Sequence, residues 1–163
     1  MALKSDRHEL QTDISFFMDE AATRGGIVSI GSTTGSGAAM DQGKAVVTYQ
    51  ADASGSLPMG LLLNDMVDID LTRQHVNWHK DEVARGGKVT LLQKGWVVTN
   101  SIQGTPAAGG LAFLGQSGNL CTSTFAGTMD SASEPANTIG RFVSKVDEDG
   151  YAKVNVDLPN TNV

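Results

Sequence analysis

Lys88-Val89-Thr90-Leu91-Leu92-Gln93-Lys94-Gly95-Trp96-Val97-Val98-Thr99 is the stretch of this chain that reads most clearly. β-Branched and aromatic residues crowd both halves, and such side chains suit a pleated surface. Gly95 closes the connection Gln93-Lys94-Gly95, a place where glycine takes positive φ without a Cβ clash. The spacing predicts a hairpin over 88–99, with Trp96 turned into a core. A second hairpin is expected at the end of the chain. There Ile139-Gly140-Arg141-Phe142-Val143 leads to the turn Asp147-Glu148-Asp149-Gly150, and beyond it Lys153, Asn155 and Asp157 alternate with Val154, Val156 and Leu158. Phe142 and Val154 belong to its buried face.

Working outward, the same short β-rich runs recur between clusters of Gly, Ser, Asn and Asp. Ile27-Val28-Ser29-Ile30, residues 44–49, residues 57–63 with Pro58 near the start, and Leu111-Ala112-Phe113-Leu114 all read as strands. In 66–71, Val67, Ile69 and Leu71 point one way and Asp68 and Asp70 the other, as in a half-buried strand; 76–78 extends a further one. Residues 116–137 are the least regular. Roughly eight or nine short strands with frequent turn signals predict an all-β fold, a small antiparallel β-barrel or β-sandwich. No βαβ alternation is present to suggest a parallel sheet.

Residues 3–24 differ. Leu10, Ile14, Phe17 and Met18 recur at three- and four-residue steps, the period of one helix face, and Gly25-Gly26 ends whatever precedes it. Two readings stand: an arm that docks on a neighbouring subunit, or a short helix or extended lead-in packed on its own domain. The chain therefore divides into an N-terminal arm or short helix over 1–24 and a β-rich body over 25–163.

Composition narrows the function classes. The 163 residues are 40% apolar and only 18% charged, with 19 glycines and a net charge of −6. Length and apolar content support one domain with a real core, without a metal or disulfide staple. No run of Lys or Arg builds the concentrated positive charge that nucleic acid or an anionic membrane requires. One cysteine, Cys121, excludes an internal disulfide and every multi-cysteine zinc scheme. The start carries no apolar stretch of leader length, and no segment approaches the roughly 18 apolar residues of a membrane helix.

Chemical motifs are near misses. Gly31 to Gly37 is glycine-rich, but Gly43-Lys44 is followed by Ala45, not by the Ser or Thr of a phosphate loop. Gly115-Gln116-Ser117-Gly118-Asn119 lacks the final glycine of a nucleophile elbow. His75 and His79 are four apart, with Asp81 and Glu82 beside them, which on a helix brings two ligands together. In a strand the same spacing separates the rings by about 13 Å, too far for one metal. Asp147-Glu148-Asp149-Gly150 has too few ligands for a calcium loop and reads as a solvated turn. Cys121 has no histidine partner nearby in sequence and reads as a small apolar residue. Asp65, Asp68 and Asp70 form an acidic patch suited either to a polar strand face or to a basic partner. No catalytic set and no cofactor is expected.

The layout over residues 21–158 resembles the capsid decoration, or cement, proteins of tailed bacteriophages. The resemblance rests on Gly25-Gly26-Ile27-Val28, Met59-Gly60-Leu61-Leu62, Gly86-Gly87-Lys88-Val89-Thr90 leading to Trp96-Val97-Val98, and the closing Ile139-Gly140-Arg141-Phe142-Val143 with Ala152-Lys153-Val154-Asn155-Val156. It implies a β-body on the outer surface of the virion capsid, made in the host cytoplasm, often trimeric, clamping major capsid protein subunits and performing no reaction. The stretch 66–82 and the region 116–137 depart from that pattern. For contacts the expectation is Leu10, Phe16, Phe17 and Met18 in the arm, with Arg73, His75 and Trp78 in mid-chain. The alternatives are a metal-dependent module on His75, His79 and Asp81, and a carbohydrate-binding β-sandwich using Trp78 or Trp96.

Overall fold

The computed structural model describes residues 3–30, 46–49, 56–65, 82–83, 85–122 and 138–158. Its strands are β1 (Leu3–Asp13), β2 (Phe17–Met18), β3 (Ala22–Thr23), β4 (Ile27–Ile30), β5 (Val46–Val47), β6 (Leu57–Asp65), β7 (Glu82–Val83), β8 (Val89–Thr99), β9 (Ile102–Gln103), β10 (Leu111–Leu114), β11 (Leu120–Cys121), β12 (Thr138–Phe142) and β13 (Ala152–Asp157). A single 3-10 turn, Gln116–Gly118, is the only helical element among the described residues. The all-β expectation holds. The expected strands at 66–71 and 76–78 lie outside the described residues.

The hairpin expected over 88–99 does not form: β8 is one unbroken strand of 11 residues. Gly95, at φ 143°, bends the strand and does not reverse it. The bend exchanges the two faces of β8. Leu92 and Val97, five positions apart, both enter the main core, whereas an undisturbed strand would send them to opposite sides. Glycine is required there for a second reason. A Cβ on Gly95 would overlap the His8 carbonyl oxygen and sit 3.2 Å from Leu92 Cδ1. The sequence signal is a glycine; its role is close backbone approach inside a strand rather than a turn.

That approaching backbone is β1: of the alternatives for 3–24, the short helix does not form, and the segment is extended and packed on its own domain. β1 runs antiparallel along β8 from Leu3↔Thr99 to Asp13↔Leu91. Among the described side chains of this strand only Leu3 is buried, while Leu10 is 72% and Ile14 just beyond it 41% exposed. A helix with that stripe would have had too little core to cover, and an isolated helix this short is marginal in water. Pairing with β8 instead satisfies the long strand's backbone groups. The charged side chains of β1 suit a sheet edge, where they discourage further pairing.

The sheet follows the order β4-β6-β8-β13-β12-β10-β11-β9, with β1 added to β8. Since β1 occupies one flank of β8 from Leu91 to Thr99, the other flank is shared. β6 takes Val89 to Leu92 and β13 takes Lys94 to Thr99. The eight-strand path curls into an open half-barrel. The terminal hairpin forms as expected, β12 against β13 with Phe142 opposite Val154.

Two cores lie on opposite faces of β4, β6 and β8. Leu61, Leu63, Leu92, Val97, Phe142, Val154 and Val156 fill the main one. Phe16, Met18, Val28, Val47, Leu62, Val83, Val89 and Leu91 fill the second. The uninterrupted run Leu61-Leu62-Leu63 is what a strand covered on both faces requires.

Candidate functional site

Strand register places five residues in one line across the sheet. Leu111 of β10 is opposite Arg141 of β12, Arg141 is opposite Asn155 of β13, Asn155 is opposite Trp96 of β8, and Trp96 is opposite His8 of β1. Directly paired residues share a face. On β12 and β13 the flanking residues Phe142, Val154 and Val156 point into the main core. The line therefore lies on the outer side of the half-barrel, backed by packed side chains. Arg141, Asn155 and His8 are exposed and Trp96 is half-buried. Leu111 at 45% and Val143 at 51% exposure add apolar surface at one end.

Trp96 is the centre of this face. The Lys153 ammonium lies over its ring, 3.4 Å from the centroid. The His8 ring stacks beside it, 6.3 Å between centroids and 22° between planes. A cation over an indole at an exposed site contributes about 0.5–1 kcal/mol. Lys94 and Asp157, opposite each other in register, form an ion pair at 3.3 Å. The Arg141 Nη1 donates to the Gly109 carbonyl, which fixes the guanidinium against the loop before β10. Trp96, expected in the core, is turned outward by the bend at Gly95.

A second cluster pins the start of β1. Lys4 donates to Asp147 Oδ2 at 3.0 Å and lies over the Tyr151 ring, 4.3 Å from its centroid. The Tyr151 and Asp149 N–H groups donate to Asp147 Oδ1 at 2.7 and 3.1 Å. The Tyr151 N–H above all, then the Lys4 ammonium, holds the Asp147 carboxyl below its usual range. The same hydrogen bond raises the Lys4 pKa. Asp147 thus serves the turn itself, as the sequence suggests.

The residues expected to meet a partner divide. Leu10 is exposed on β1. Phe16 and Met18, however, are sealed in the chain's own second core, 7% and 0% exposed, because the segment after β1 folds back over the outer side of Leu62 and Leu91. Phe17 is half-buried, with the Lys88 ammonium 5.7 Å from its ring centroid. Arg73, His75 and Trp78 lie outside the described residues, as do His79 and Asp81. Sequence reasoning does not single out Arg141, Asn155, Lys153 and His8 as a group: the terminal hairpin places the first three near one another, but only the register of distant strands adds Trp96 and His8.

Among the described residues no group of three His, Cys, Asp or Glu side chains is placed to hold a metal ion. Cys121 is buried on β11, and burial raises its thiol pKa to about 11. Ser117 takes φ 53° within the 3-10 turn at Gln116–Gly118, not in a strand-to-helix elbow. No helix among the described residues is long and apolar enough to cross a membrane. A scan against protein-family models finds no match, and a search of curated proteins finds no relative.

Proposed function

We propose that this chain is a capsid decoration protein of the tailed-phage kind, a non-enzymatic β-body that binds the outer surface of the head and holds neighbouring major capsid subunits together. It acts without a cofactor, as a homo-oligomer, a trimer being the arrangement its resemblance implies. The observation that carries the reading is the continuous outward line Leu111, Arg141, Asn155, Trp96 and His8 on a well-packed sheet. Trp and Arg dominate binding energy when a partner desolvates them. A face preorganised by backbone pairing and core packing loses little entropy on docking. Many copies on a repeating shell then multiply modest contacts.

Co-sedimentation of the full chain with empty expanded heads of the same phage tests the proposal. Saturable binding is expected, weakened about thirtyfold or more by Trp96→Ala, as for an interface hot spot. Absence of saturable binding by the unaltered chain would overturn it.

Trp96 also favours a second reading, a carbohydrate-binding module using the indole as a platform. Against it, Lys153 already occupies a face of that ring. Glycan binding abolished by Trp96→Ala, with no affinity for heads, would decide for the second reading.

A further inference from the structure

We infer that the surface this face recognises is an acidic segment of the shell, its carboxylates seated against Lys153 and Arg141 on either side of Asn155. The inference rests on the proposed function and names the chemistry of its partner. It comes from where the charge goes unanswered. The chain as a whole carries −6, so a positive patch runs against the average. Most cations nearby are already neutralised: Lys4 by Asp147 at 3.0 Å, Arg7 by Glu9 at 2.6 Å and Lys94 by Asp157 at 3.3 Å. Lys153 and Arg141 form no ion pair among the described residues. Lys153 rests on the Trp96 ring, and Arg141 uses Nη1 on the Gly109 carbonyl.

Their geometry suits an anion better than an apolar partner. Arg141 and Trp96 are separated only by Asn155 in the cross-strand line, two strand spacings or about 9.5 Å apart. A guanidinium has five N–H donors, so Arg141 keeps capacity for a carboxylate after its bond to Gly109. The Asn155 amide between them can both donate and accept, which matches a peptide backbone running past. In the free protein Arg141 is exposed and Lys153 half-buried, its ammonium over the Trp96 ring. Docking therefore draws on complementarity that steers encounter and fixes register.

The test measures binding of the full chain to empty expanded heads at rising NaCl, and again for Lys153→Glu with Arg141→Glu. From about 0.1 M to 1 M salt the Debye length falls from about 10 to about 3 Å. Affinity is expected to fall steeply over that range. The double reversal is expected to lose at least about tenfold at low salt, while Lys153→Arg with Arg141→Lys retains most of the binding. Circular dichroism and thermal unfolding confirm that each variant is folded.

Heads that bind wild type and the double reversal alike, without salt dependence, would overturn the inference while leaving the proposed function in place. Failure of the unaltered chain to bind heads would overturn both. A salt-sensitive self-association of the free chain, lost in the double reversal, would assign the face to a second copy and overturn the inference. So would tight binding of the free chain to duplex DNA through the same two residues.

Discussion

Replacing Gly95 by alanine tests how the half-barrel is built. Gly95 has φ 143°, outside the left-handed helical well, and an L-residue held in so sparsely populated a region costs about 1–3 kcal/mol. The added Cβ would also overlap the His8 carbonyl oxygen and sit 3.2 Å from the His8 carbonyl carbon. That obstacle is backbone, so it cannot rotate away as a side chain would. Relief requires β1 to lift locally, disturbing the pairs Glu9↔Gly95 and His8↔Trp96. Two backbone hydrogen bonds at about 1 kcal/mol each bring the expected loss to roughly 3–5 kcal/mol. For a chain of this size that lowers Tm by roughly 6–20 °C. Gly150→Ala is the control, because Gly150 has φ 85° and nothing within 4 Å of the place its Cβ would take. It should cost only the backbone portion. Thermal and urea unfolding measure the difference, and hydrogen exchange should show faster opening of β1 in Gly95→Ala. Equal stability of the two variants, or unchanged exchange in β1, would refute the close crossing of β1 over Gly95.

Removing residues 1–24 should compromise the fold, since it strips buried Leu3, Phe16 and Met18 along with the whole of β1. At about 1.5–3 kcal/mol per side chain the loss is roughly 5–9 kcal/mol, comparable to a domain's total stability, and circular dichroism should show it. The Asp147 carboxyl lies below its ordinary value of 3.8, so its stabilisation is present above that value and disappears as pH falls through the depressed one. Lys4, raised above 10.5, contributes below that value and loses its contribution as pH rises through the raised one. Asp147→Asn should therefore flatten the acid limb of a Tm-against-pH curve, and an unaltered limb would contradict the contact. Cys121, buried with its thiol at about 11, should react with a thiol reagent at about pH 8 only under unfolding conditions. Rapid labelling of the native chain would place it elsewhere.

How much of this is legible in the sequence depends on how local each signal is. The terminal hairpin is clear because Asp149-Gly150 and the alternation from Lys153 to Leu158 sit within one short segment. Gly95 misleads, since a glycine that ends a turn and one that admits a crossing backbone look alike without the crossing strand. Leu10, Ile14, Phe17 and Met18 have helical spacing, yet Leu10 faces solvent and Met18 is fully buried. The competing factor is the bare flank of β8, which lies far along the chain from β1. The outer line of Leu111, Arg141, Asn155, Trp96 and His8 is invisible for the same reason. Each member is ordinary in its own strand, and beyond the terminal hairpin's own pair, three non-local registers are needed to align them.

Oxidative footprinting of Trp96, resolved from Trp78 by peptide mass spectrometry, tests the proposed docking face most directly. It is run on the free chain and on the chain bound to empty expanded heads. The indole should be reactive in the free protein and strongly protected once the chain occupies the shell. A chain that is bound to heads with Trp96 still as reactive as in solution would contradict docking through this face.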